Sequence, residues 1–393
     1  MAKRIAILGS TGSIGRTAIK VIQALGQDYT VIGLSGHRQV KLLAEQARQT
    51  HAKVVAVTSS DLAEEFRQLV EDQDVEVLVG HQGLVEMVQR EDIDIVLSGL
   101  VGIAGLQAVL TAARMGKRLA IANKEPLVVA GHLLMSTARA HGSTILPVDS
   151  EHSAIFQAMQ AGCRKEVAKI ILTGSGGPFR NAKPSDLEHV TIQQALAHPI
   201  WNMGPKITID SATMMNKALE IIEAQWLFDI DAARIEVLIH PESIVHSLVE
   251  FVDGSVIAQM ALPDMALPIQ YALTYPQRVA GISKRLDLAR LGSLTFEGPD
   301  LNRFKALSLA YHVVRTGGTA CAVFNAANEA AVEAFLSDKI RFTQIIELVA
   351  VCLEHHNPIS DAQLGDLMEA DTWARRFVGQ MIAKASEVRI TRP

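Results

Sequence analysis

Continuous apolar runs alternate with helix-spaced apolar residues along roughly the first 150 positions of the chain. Strands that are apolar on both faces are typical of a parallel sheet covered by helices. Their alternation with helical segments, such as residues 102–116, predicts an α/β chain that begins with a doubly wound parallel sheet. The predicted strands are residues 4–8, 29–34, 53–57, 75–79, 93–98, 118–122 and 144–146.

The pattern changes after residue 150. Strands are predicted at 167–173, 236–240, 247–251 and 255–260, and Asp253-Gly254 is typical of a hairpin turn. Four helical segments end the chain, at 304–316, 322–336, 342–355 and 370–386. We therefore predict an N-terminal doubly wound domain (1–149), an α+β catalytic or connective domain (150–274), a turn-rich linker (275–300) and a C-terminal helical bundle (301–393).

Composition and charge disfavour several functional classes. The chain has 393 residues, which predicts more than one domain, and its 49% apolar and 20% charged residues are typical of well-packed globular proteins. A net charge of −5 disfavours nucleic-acid binding. We find no signal peptide and no apolar run of membrane-spanning length, and the three cysteines are far apart. These features predict a cytoplasmic protein with no nucleic-acid or membrane partner.

The first strand leads into a glycine-rich turn, Gly9-Ser10-Thr11-Gly12-Ser13-Ile14-Gly15, and then into a helical pattern. Glycines let a backbone approach a pyrophosphate, and the N-terminus of the following helix attracts it. This order favours a Rossmann-like nucleotide-binding domain over a bare tight turn. The second strand ends at Gly36-His37-Arg38-Gln39, where an NAD enzyme typically has an acid. Arg38 therefore favours a 2′-phosphate, and so NADP, unless it is an ordinary surface arginine.

Polar residues follow two later strands, at the edge of the sheet where ligands bind. One group is Asn123-Lys124-Glu125-Pro126, and the other contains Asp149 and Glu151, two carboxylates in a D-x-E arrangement. Carboxylate oxygens suit Mg²⁺ or Mn²⁺. The alternatives are a solvated lysine and a solvated acidic loop before a helix.

Three stretches after residue 150 carry further candidate chemistry. The glycine-serine loop at 174–179 could bind an anion or be a flexible hairpin. The segment at 197–206 contains Trp201 between prolines and a glycine, which is typical of a substrate lid but also of a connector. A helix capped by Ser211 or Thr213 is predicted to run to about Phe228. On it, the side chains of Asn216, Lys217 and Glu220 can share one face, either as a surface ion pair or with Glu220 as a third metal ligand.

These motifs together closely resemble the 1-deoxy-D-xylulose 5-phosphate reductoisomerase family over essentially the whole chain. The motifs are GSTGSIG, ANKE, PVDSEH, TGSGGPF, HPxWxMG, DSATMMNKxLExIEA and HPxSxxHS. The resemblance implies an NADPH- and metal-dependent oxidoreductase that makes 2-C-methyl-D-erythritol 4-phosphate for isoprenoid synthesis. It also implies a homodimer and Mg²⁺ or Mn²⁺ as the metal, with Co²⁺ also accepted.

The resemblance further implies a role for each matching residue. The metal ligands would be Asp149, Glu151 and Glu220, and these three with Lys124 would be the catalytic residues. The substrate would contact Lys124, Ser150, Glu151, Ser175, His198, Ser211, Asn216, Lys217 and Glu220. The cofactor would contact Thr11, Gly12, Ser13, Ile14, Gly36, Arg38, Gln39, Asn123, Glu125 and Gly204, and the lid would carry Trp201 and Met203.

One departure and two alternatives complete the prediction. Family members often have A-G-(R/K)-N after the second strand, where this chain has Gly36-His37-Arg38-Gln39. One alternative is another NADP-dependent reductase, such as a homoserine- or semialdehyde-type dehydrogenase, which needs no third carboxylate at Glu220. The other is a catalytically silent NADP-binding sensor, which would be free to lose the acidic ligands.

Overall fold

The computed structural model describes residues 2–201 and 203–390, and for residues 386–390 it describes the backbone only. It contains two compact units. The first unit is Met1–Pro126, Gly131–Phe156 and Asp264–Arg285, and the second is Leu127–Ala130, Gln157–Pro263 and Leu286–Pro393. Residues 264–285 thus belong to the first unit, although the sequence analysis divides them between the catalytic domain and the linker. The division of the rest into a catalytic domain and a helical bundle stays a prediction.

The first unit contains a seven-stranded parallel sheet in the order β4-β3-β2-β1-β5-β6-β7. This confirms the predicted Rossmann-like sheet. Because β1 lies between β2 and β5, the chain order reverses beside β1, and ligands bind at such a point. The strands are β1 (Lys3–Leu8), β2 (Tyr29–Gly36), β3 (Val54–Val57), β4 (Glu76–Val79), β5 (Ile95–Ser98), β6 (Arg118–Ile121) and β7 (Ile145–Pro147).

Helices cover the sheet because the connections between parallel strands must cross over it. They are α1 (Ser13–Leu25), α2 (Val40–Thr50), α3 (Ala63–Leu69), α4 (Gly80–Gln89), α5 (Leu106–Arg114), α6 (Glu125–Ala140) and α7 (Ser150–Ala158). A later helix, α11 (Ala266–Thr274), joins the same core through Ile269 and Leu273, both completely buried. The sequence analysis did not predict α11.

The second unit contains a four-stranded mixed sheet in the order β11-β10-β8-β9. Its strands are β8 (Val167–Gly174), β9 (Ile235–Ile239), β10 (Val245–Phe251) and β11 (Val256–Met260). β8 and β9 pair in parallel, while β10 pairs antiparallel with both β8 and β11. The β10–β11 pair confirms the hairpin predicted from Asp253-Gly254.

Three helices of the second unit lie between β8 and β9 in the chain, and five follow β11. They are α8 (Ile192–Leu196), α9 (Pro205–Ala212), α10 (Met215–Phe228), α12 (Leu288–Leu291), α13 (Lys305–Thr316), α14 (Ala320–Leu336), α15 (Gln344–Glu354) and α16 (Leu364–Ile390). The last four confirm the predicted helical C-terminal region. Within the described part of the chain, no helix is both long enough and apolar enough to span a membrane.

The structure corrects two local interpretations. The helix after β7 begins at Ser150, so Ser150 and Glu151 lie in its first turn and not in a solvated loop before it. Ser211 does not cap the helix that carries Glu220, because it lies inside α9. That helix, α10, begins after Met214, whose positive φ of 61° interrupts the chain between α9 and α10. Thr213 is closer to the predicted cap, since its hydroxyl accepts from the Met215 N–H at 3.3 Å.

Candidate active site

The glycine turn after β1 packs tightly against its own helix. A Cβ at Gly15 would lie 2.4 Å from the Ser10 Cα, so only glycine fits there. Gly9 has a φ of +85°, which also favours glycine. α1 begins at Ser13 with Gly12 as its N-cap and no side-chain cap. The turn therefore presents the N-terminus of α1 at the carboxyl end of β1.

Side chains from neighbouring elements hold this turn in place. The Gly9 N–H donates to the Ser35 hydroxyl at 2.9 Å, and the Ser10 N–H donates to the Ser35 carbonyl at 2.8 Å. Gln46 and Ser10 exchange two buried hydrogen bonds, of 2.7 and 2.9 Å. The backbone near Thr11 is thus fixed before any ligand binds.

The end of β2 lies beside this turn. Gly36 is its last residue, and His37, Arg38 and Gln39 follow as exposed residues. The His37 Nδ1 lies 3.0 Å from the Thr58 hydroxyl, which also donates to the Gly36 carbonyl at 3.2 Å. His37 is thus hydrogen-bonded to the loop after β3. Arg38 lies at the carboxyl edge of the sheet, as expected of a residue that binds a 2′-phosphate.

Lys124 and Asp149 meet at the ends of β6 and β7. The Lys124 Nζ lies 2.9 Å from the Asp149 Oδ2, and only 9% and 12% of the two side chains are exposed. The other carboxylate oxygen of Asp149 accepts from the Glu151 N–H at 3.2 Å and lies 3.4 Å from the His152 Nδ1. The predicted cation and the predicted carboxylate therefore form one polar site in the first unit.

The remaining predicted residues of this unit lie at the starts of two helices. Glu125 opens α6 and is 4% exposed, and Ser150 opens α7, where its hydroxyl donates to the Glu151 carboxylate. Asn123 precedes α6 and accepts a hydrogen bond from Ser98 at 2.8 Å. A helix N-terminus favours acidic groups, so both Glu125 and Glu151 occupy suitable positions.

In the second unit, the glycine-serine loop after β8 contacts His198. The Ser175 hydroxyl lies 3.1 Å from the His198 Nε2 and accepts from the Gly177 N–H at 3.2 Å. Gly177 has a φ of +67°, and a Cβ there would lie 2.7 Å from the Ser211 carbonyl oxygen. The loop thus brings Ser175, His198 and the end of α9 into one cluster.

The first turns of α10 add a cation and two further polar groups to the same unit. The Glu220 side chain is fully buried and accepts from the Asn216 Nδ2 at 2.6 Å and from the Lys217 Nζ. Lys217 is 3% exposed, and its Cε lies 3.0 Å from the position of a Cβ at Gly174. Because these charges are buried, the interpretation as a solvated surface ion pair was wrong.

The candidate lid lies between α8 and α9. Trp201 is half-buried, and its ring centroid lies 6.4 Å from that of His246. Met203 is also half-buried, and Gly204 is the exposed N-cap of α9. Asp149 and Glu151 belong to the first unit and Glu220 to the second, and their sharing of one ion stays a prediction.

Sequence reasoning missed several supporting residues. His240 and His246 lie in the HPxSxxHS motif, but the sequence analysis predicted no role for either. The His240 Nε2 accepts from the Ile244 and Val245 N–H groups, both at 3.1 Å, and its Nδ1 lies 2.8 Å from the Thr295 carbonyl oxygen. Ser98 received no role either, although the rule about strand ends could have found it, since it is the last residue of β5.

Three family profiles match this chain in succession. The one described as 1-deoxy-D-xylulose 5-phosphate reductoisomerase matches residues 5–131. The one described as the 1-deoxy-D-xylulose 5-phosphate reductoisomerase C-terminal domain matches residues 145–228. The third, described as the DXP reductoisomerase C-terminal domain, matches residues 260–377. Together they span most of the chain.

Named relatives and solved structures agree with these profiles. The 1-deoxy-D-xylulose 5-phosphate reductoisomerase of Caldanaerobacter subterraneus subsp. tengcongensis is 50% identical over 96% of this chain and 98% of its own length. That of Chloroherpeton thalassium is also 50% identical, over 96% and 97%. The enzyme from Zymomonas mobilis in complex with NADPH superposes with a TM-score of 0.92 at 42% identity, covering 97% and 99%. A DOX-P reductoisomerase in complex with NADPH, fosmidomycin and magnesium gives 0.93 at 42% identity, covering 98% and 99%.

Proposed function

This chain belongs to the 1-deoxy-D-xylulose 5-phosphate reductoisomerase family, and we propose that it converts 1-deoxy-D-xylulose 5-phosphate into 2-C-methyl-D-erythritol 4-phosphate. The product would supply the non-mevalonate route to isoprenoids. One structural observation supports this most directly. The ends of β6 and β7 hold Asn123, Lys124 and Asp149 at the same edge of the sheet as the glycine turn after β1. A nucleotide and a metal-chelated substrate would meet at that edge.

NADPH suits the residues of the first unit. A Cβ at Gly15 would collide with Ser10, so α1 packs closely on the turn at 9–15, and the N-terminus of α1 would face a pyrophosphate bound there. Asn123 has a buried Nδ2 without a hydrogen-bond partner among the described residues, as expected of a group that awaits a ligand. We propose that Thr11, Gly12, Ser13 and Ile14 hold the pyrophosphate and that Gly36, Arg38 and Gln39 hold the adenosine side. Asn123, Glu125 and Gly204 would complete the site, where NADPH supplies hydride for the reduction.

Magnesium suits the donor set of carboxylates that we assign to it. Asp149, Glu151 and Glu220 offer only hard oxygen ligands, which Mg²⁺ and Mn²⁺ prefer. Lys124 lies beside Asp149 and Lys217 beside Glu220, and these ion pairs orient the carboxylates. We propose that the three carboxylates hold one divalent ion, which when bound would polarise the substrate's oxygens.

The second unit supplies the groups for the substrate phosphate. Ser175, Ser211, Asn216 and Lys217 combine hydroxyl and amide donors with a buried ammonium group, the chemistry that recognises a phosphate. His198 would orient Ser175, since the two side chains lie 3.1 Å apart. We propose that Ser150 and Glu151 contact the sugar part, where Lys124 stabilises negative charge that develops on oxygen.

Trp201 and Met203 would cover the bound substrate. Both residues are only half-buried, and the segment that carries them lies between α8 and α9. Closure of this segment would exclude water from reactive intermediates.

The decisive experiment follows NADPH absorbance in a mixture of protein, Mg²⁺ or Mn²⁺, NADPH and 1-deoxy-D-xylulose 5-phosphate. We expect metal-dependent loss of NADPH and formation of 2-C-methyl-D-erythritol 4-phosphate, identified by mass spectrometry. Absence of metal-dependent turnover would reject the proposal and favour the silent NADP-binding sensor. NADH as effective as NADPH would reject the role of Arg38.

Glu220→Gln tests the metal ligands separately. We expect activity and Mn²⁺ affinity to fall by at least about 100-fold. Mutation of a residue that only hydrogen-bonds to a metal ligand already lowers metal affinity or activity by about 10–100-fold. Glu236→Gln is the matched control, since Glu236 is an exposed carboxylate of the same unit, paired with Lys169. A mild effect of Glu220→Gln on both readouts would contradict the assignment.

A homodimer and a cytoplasmic location are further parts of this proposal, both inferred from the family resemblance and the sequence. Light scattering after gel filtration would measure the mass in solution, and a mass of one chain would contradict the dimer. Cell fractionation would test the location.

A further inference from the structure

The amide of Asn123 is satisfied at one end only. The Ser98 hydroxyl donates to the Asn123 Oδ1 at 2.8 Å, and both residues are buried, Ser98 completely and Asn123 with 8% exposed. The Asn123 Nδ2 has no hydrogen-bond partner among the described residues. Buried amide donors are nearly always hydrogen-bonded in folded proteins. A buried donor without a partner therefore indicates a place where a ligand can supply the acceptor.

Ser98 and Asn123 lie at the carboxyl edge of neighbouring strands. Ser98 ends β5 and pairs in register with Ile121, the last residue of β6, two positions before Asn123. The Ala122 N–H also donates to the Ser98 carbonyl at 2.9 Å. The position of the amide is therefore fixed by backbone pairing, and the Ser98 hydroxyl fixes which end of the amide points outward.

The order of the strands indicates which part of NADPH lies near this amide. The glycine turn for the pyrophosphate follows β1, and Arg38, our candidate for the 2′-phosphate, follows β2 on one side of β1. β5 and β6 lie on the other side of β1. A dinucleotide can lie with its pyrophosphate over β1 and its adenosine half toward β2. Its nicotinamide riboside then lies on the other side of β1, toward β5 and β6.

We propose that Ser98 is a positioning residue, which turns the Asn123 amide so that Nδ2 donates to an oxygen of the nicotinamide riboside half of NADPH. The hydroxyl acts through Asn123 and does not touch the cofactor itself. Ser98 thereby selects a donor, and not an acceptor, at this point of the site. This inference rests on the NADPH site proposed above.

The test compares two nucleotides on the full-length protein. NADPH reaches both halves of the site, whereas adenosine 2′,5′-bisphosphate occupies only the adenosine half. We expect Ser98→Ala to weaken NADPH binding by about threefold to tenfold, the range of one hydrogen bond. Its affinity for adenosine 2′,5′-bisphosphate should stay unchanged. Titration calorimetry measures both affinities.

Two further variants make the result specific. Asn123→Asp keeps the acceptor for Ser98 and nearly the same shape but replaces the donor with oxygen, so it should weaken NADPH binding at least as much as Ser98→Ala and spare the fragment. Ser247→Ala removes another completely buried strand hydroxyl, in the second unit, and should leave both affinities unchanged.

Each contrary outcome has a separate meaning. Equal losses for NADPH and the fragment in Ser98→Ala would overturn the positioning role, because general damage to the unit would explain them. Unchanged NADPH affinity in both Ser98→Ala and Asn123→Asp would overturn it as well. A wild-type protein that binds neither nucleotide would overturn the NADPH site itself, before any variant is compared.

Discussion

His198 shows how one side chain can hold a segment of irregular backbone. Its Nδ1 accepts from the Ile200 N–H at 3.2 Å and from the Trp201 N–H at 2.9 Å. The proton of the neutral ring therefore lies on Nε2, which faces the Ser175 hydroxyl at 3.1 Å. Burial lowers the pKa of His198, so the neutral ring is favoured. A neutral imidazole thus fastens the segment at 198–201 to the glycine-serine loop.

Acidification should release this segment. Above about pH 6.5 the ring is neutral in both the folded and the unfolded chain, and its contribution to stability is complete. Because the folded-state pKa is lowered, that contribution decreases as the pH falls below the unfolded value and is lost once the folded ring is protonated. A protonated Nδ1 can no longer accept from Ile200 and Trp201. We therefore expect the Trp201 fluorescence to stay constant above about pH 6.5 and to change as the pH falls below it.

Two variants identify the signal and the titrating group. Trp201→Phe removes the contribution of interest and leaves that of Trp226 and Trp373. His198→Asn keeps an acceptor near the Nδ1 position that does not titrate, so the pH dependence should disappear in it. If the change persists in His198→Asn, another group such as His246, whose ring centroid lies 6.4 Å from that of Trp201, is responsible.

At the scale of elements, the strands and the C-terminal helices could be predicted because their sequences are locally consistent. Each strand of the first sheet is a short apolar run, and α13 has apolar residues at helical spacing. The order of the strands could not be predicted from these runs. The strand order depends on which crossover connection returns the chain beside β1, and the sequence of a single strand does not determine this.

The missed helices have physical explanations. α11 contains Pro268 and is buried nearly all round, so it shows no amphipathic pattern, although proline is tolerated in the first turn of a helix. α9 begins at Pro205, inside the segment at 197–206 that was interpreted as a lid. The break between α9 and α10 depends on Met214 in a left-handed conformation. Methionine seldom adopts this conformation, so the sequence did not predict the break.

The candidate site was predictable where chemistry follows the spacing of residues. Asp149, Lys124 and Arg38 were found because strand ends meet at one edge of a parallel sheet. The hydrogen bond from Ser98 to Asn123 and the contact of His198 with Ser175 join residues 25 and 23 positions apart. Such pairs depend on the fold and not on local spacing, so the sequence alone did not reveal them.

The attachment of α9 to α14 is a testable property of two elements. Asp210, 1% exposed, accepts from the Asn328 Nδ2 at 2.8 Å and pairs with Lys206 at 2.9 Å. Asn328→Ala should destabilise the protein by about 1–3 kcal/mol, because Asp210 loses a buried partner. Since α9 carries Ser211, a proposed phosphate ligand, KM for the sugar phosphate should rise severalfold while NADPH affinity stays unchanged.

Asn325→Ala is the matched control for this prediction. Asn325 is also completely buried in α14, but its Nδ2 donates to Glu329 of the same helix at 3.2 Å. It should lower the free energy of unfolding, measured in urea, without a comparable change in KM. Equal KM changes in the two variants would show that α14 acts through general stability and not through Asp210.

At the scale of the whole molecule, the nucleotide-binding unit depends on a distant part of the chain. α11 enters the first unit more than 100 residues after β7 and packs against α1, β6 and β7. Its Ile269 is completely buried in the same core as Ile5 of β1. The stability of the glycine turn and its helix should therefore depend on α11.

Ile269→Ala tests that dependence in the full-length chain. Loss of a buried isoleucine side chain destabilises by about 2–5 kcal/mol. Because the cavity lies in the core of the first unit, we expect faster amide hydrogen exchange in α1, β6 and β7, measured by mass spectrometry on peptides. NADPH at about 100 times its Kd should oppose this, since binding to the folded state alone adds about 2.7 kcal/mol.

Ile345→Ala gives the matched change in the second unit, where Ile345 is completely buried in α15. Its effect on exchange should appear in α14 and α16, which pack against α15, and NADPH should oppose it less. Fast exchange confined to α11 itself in Ile269→Ala would contradict the dependence. The glycine turn would then be stable without α11, and the first unit would be specified by the N-terminal βα units alone.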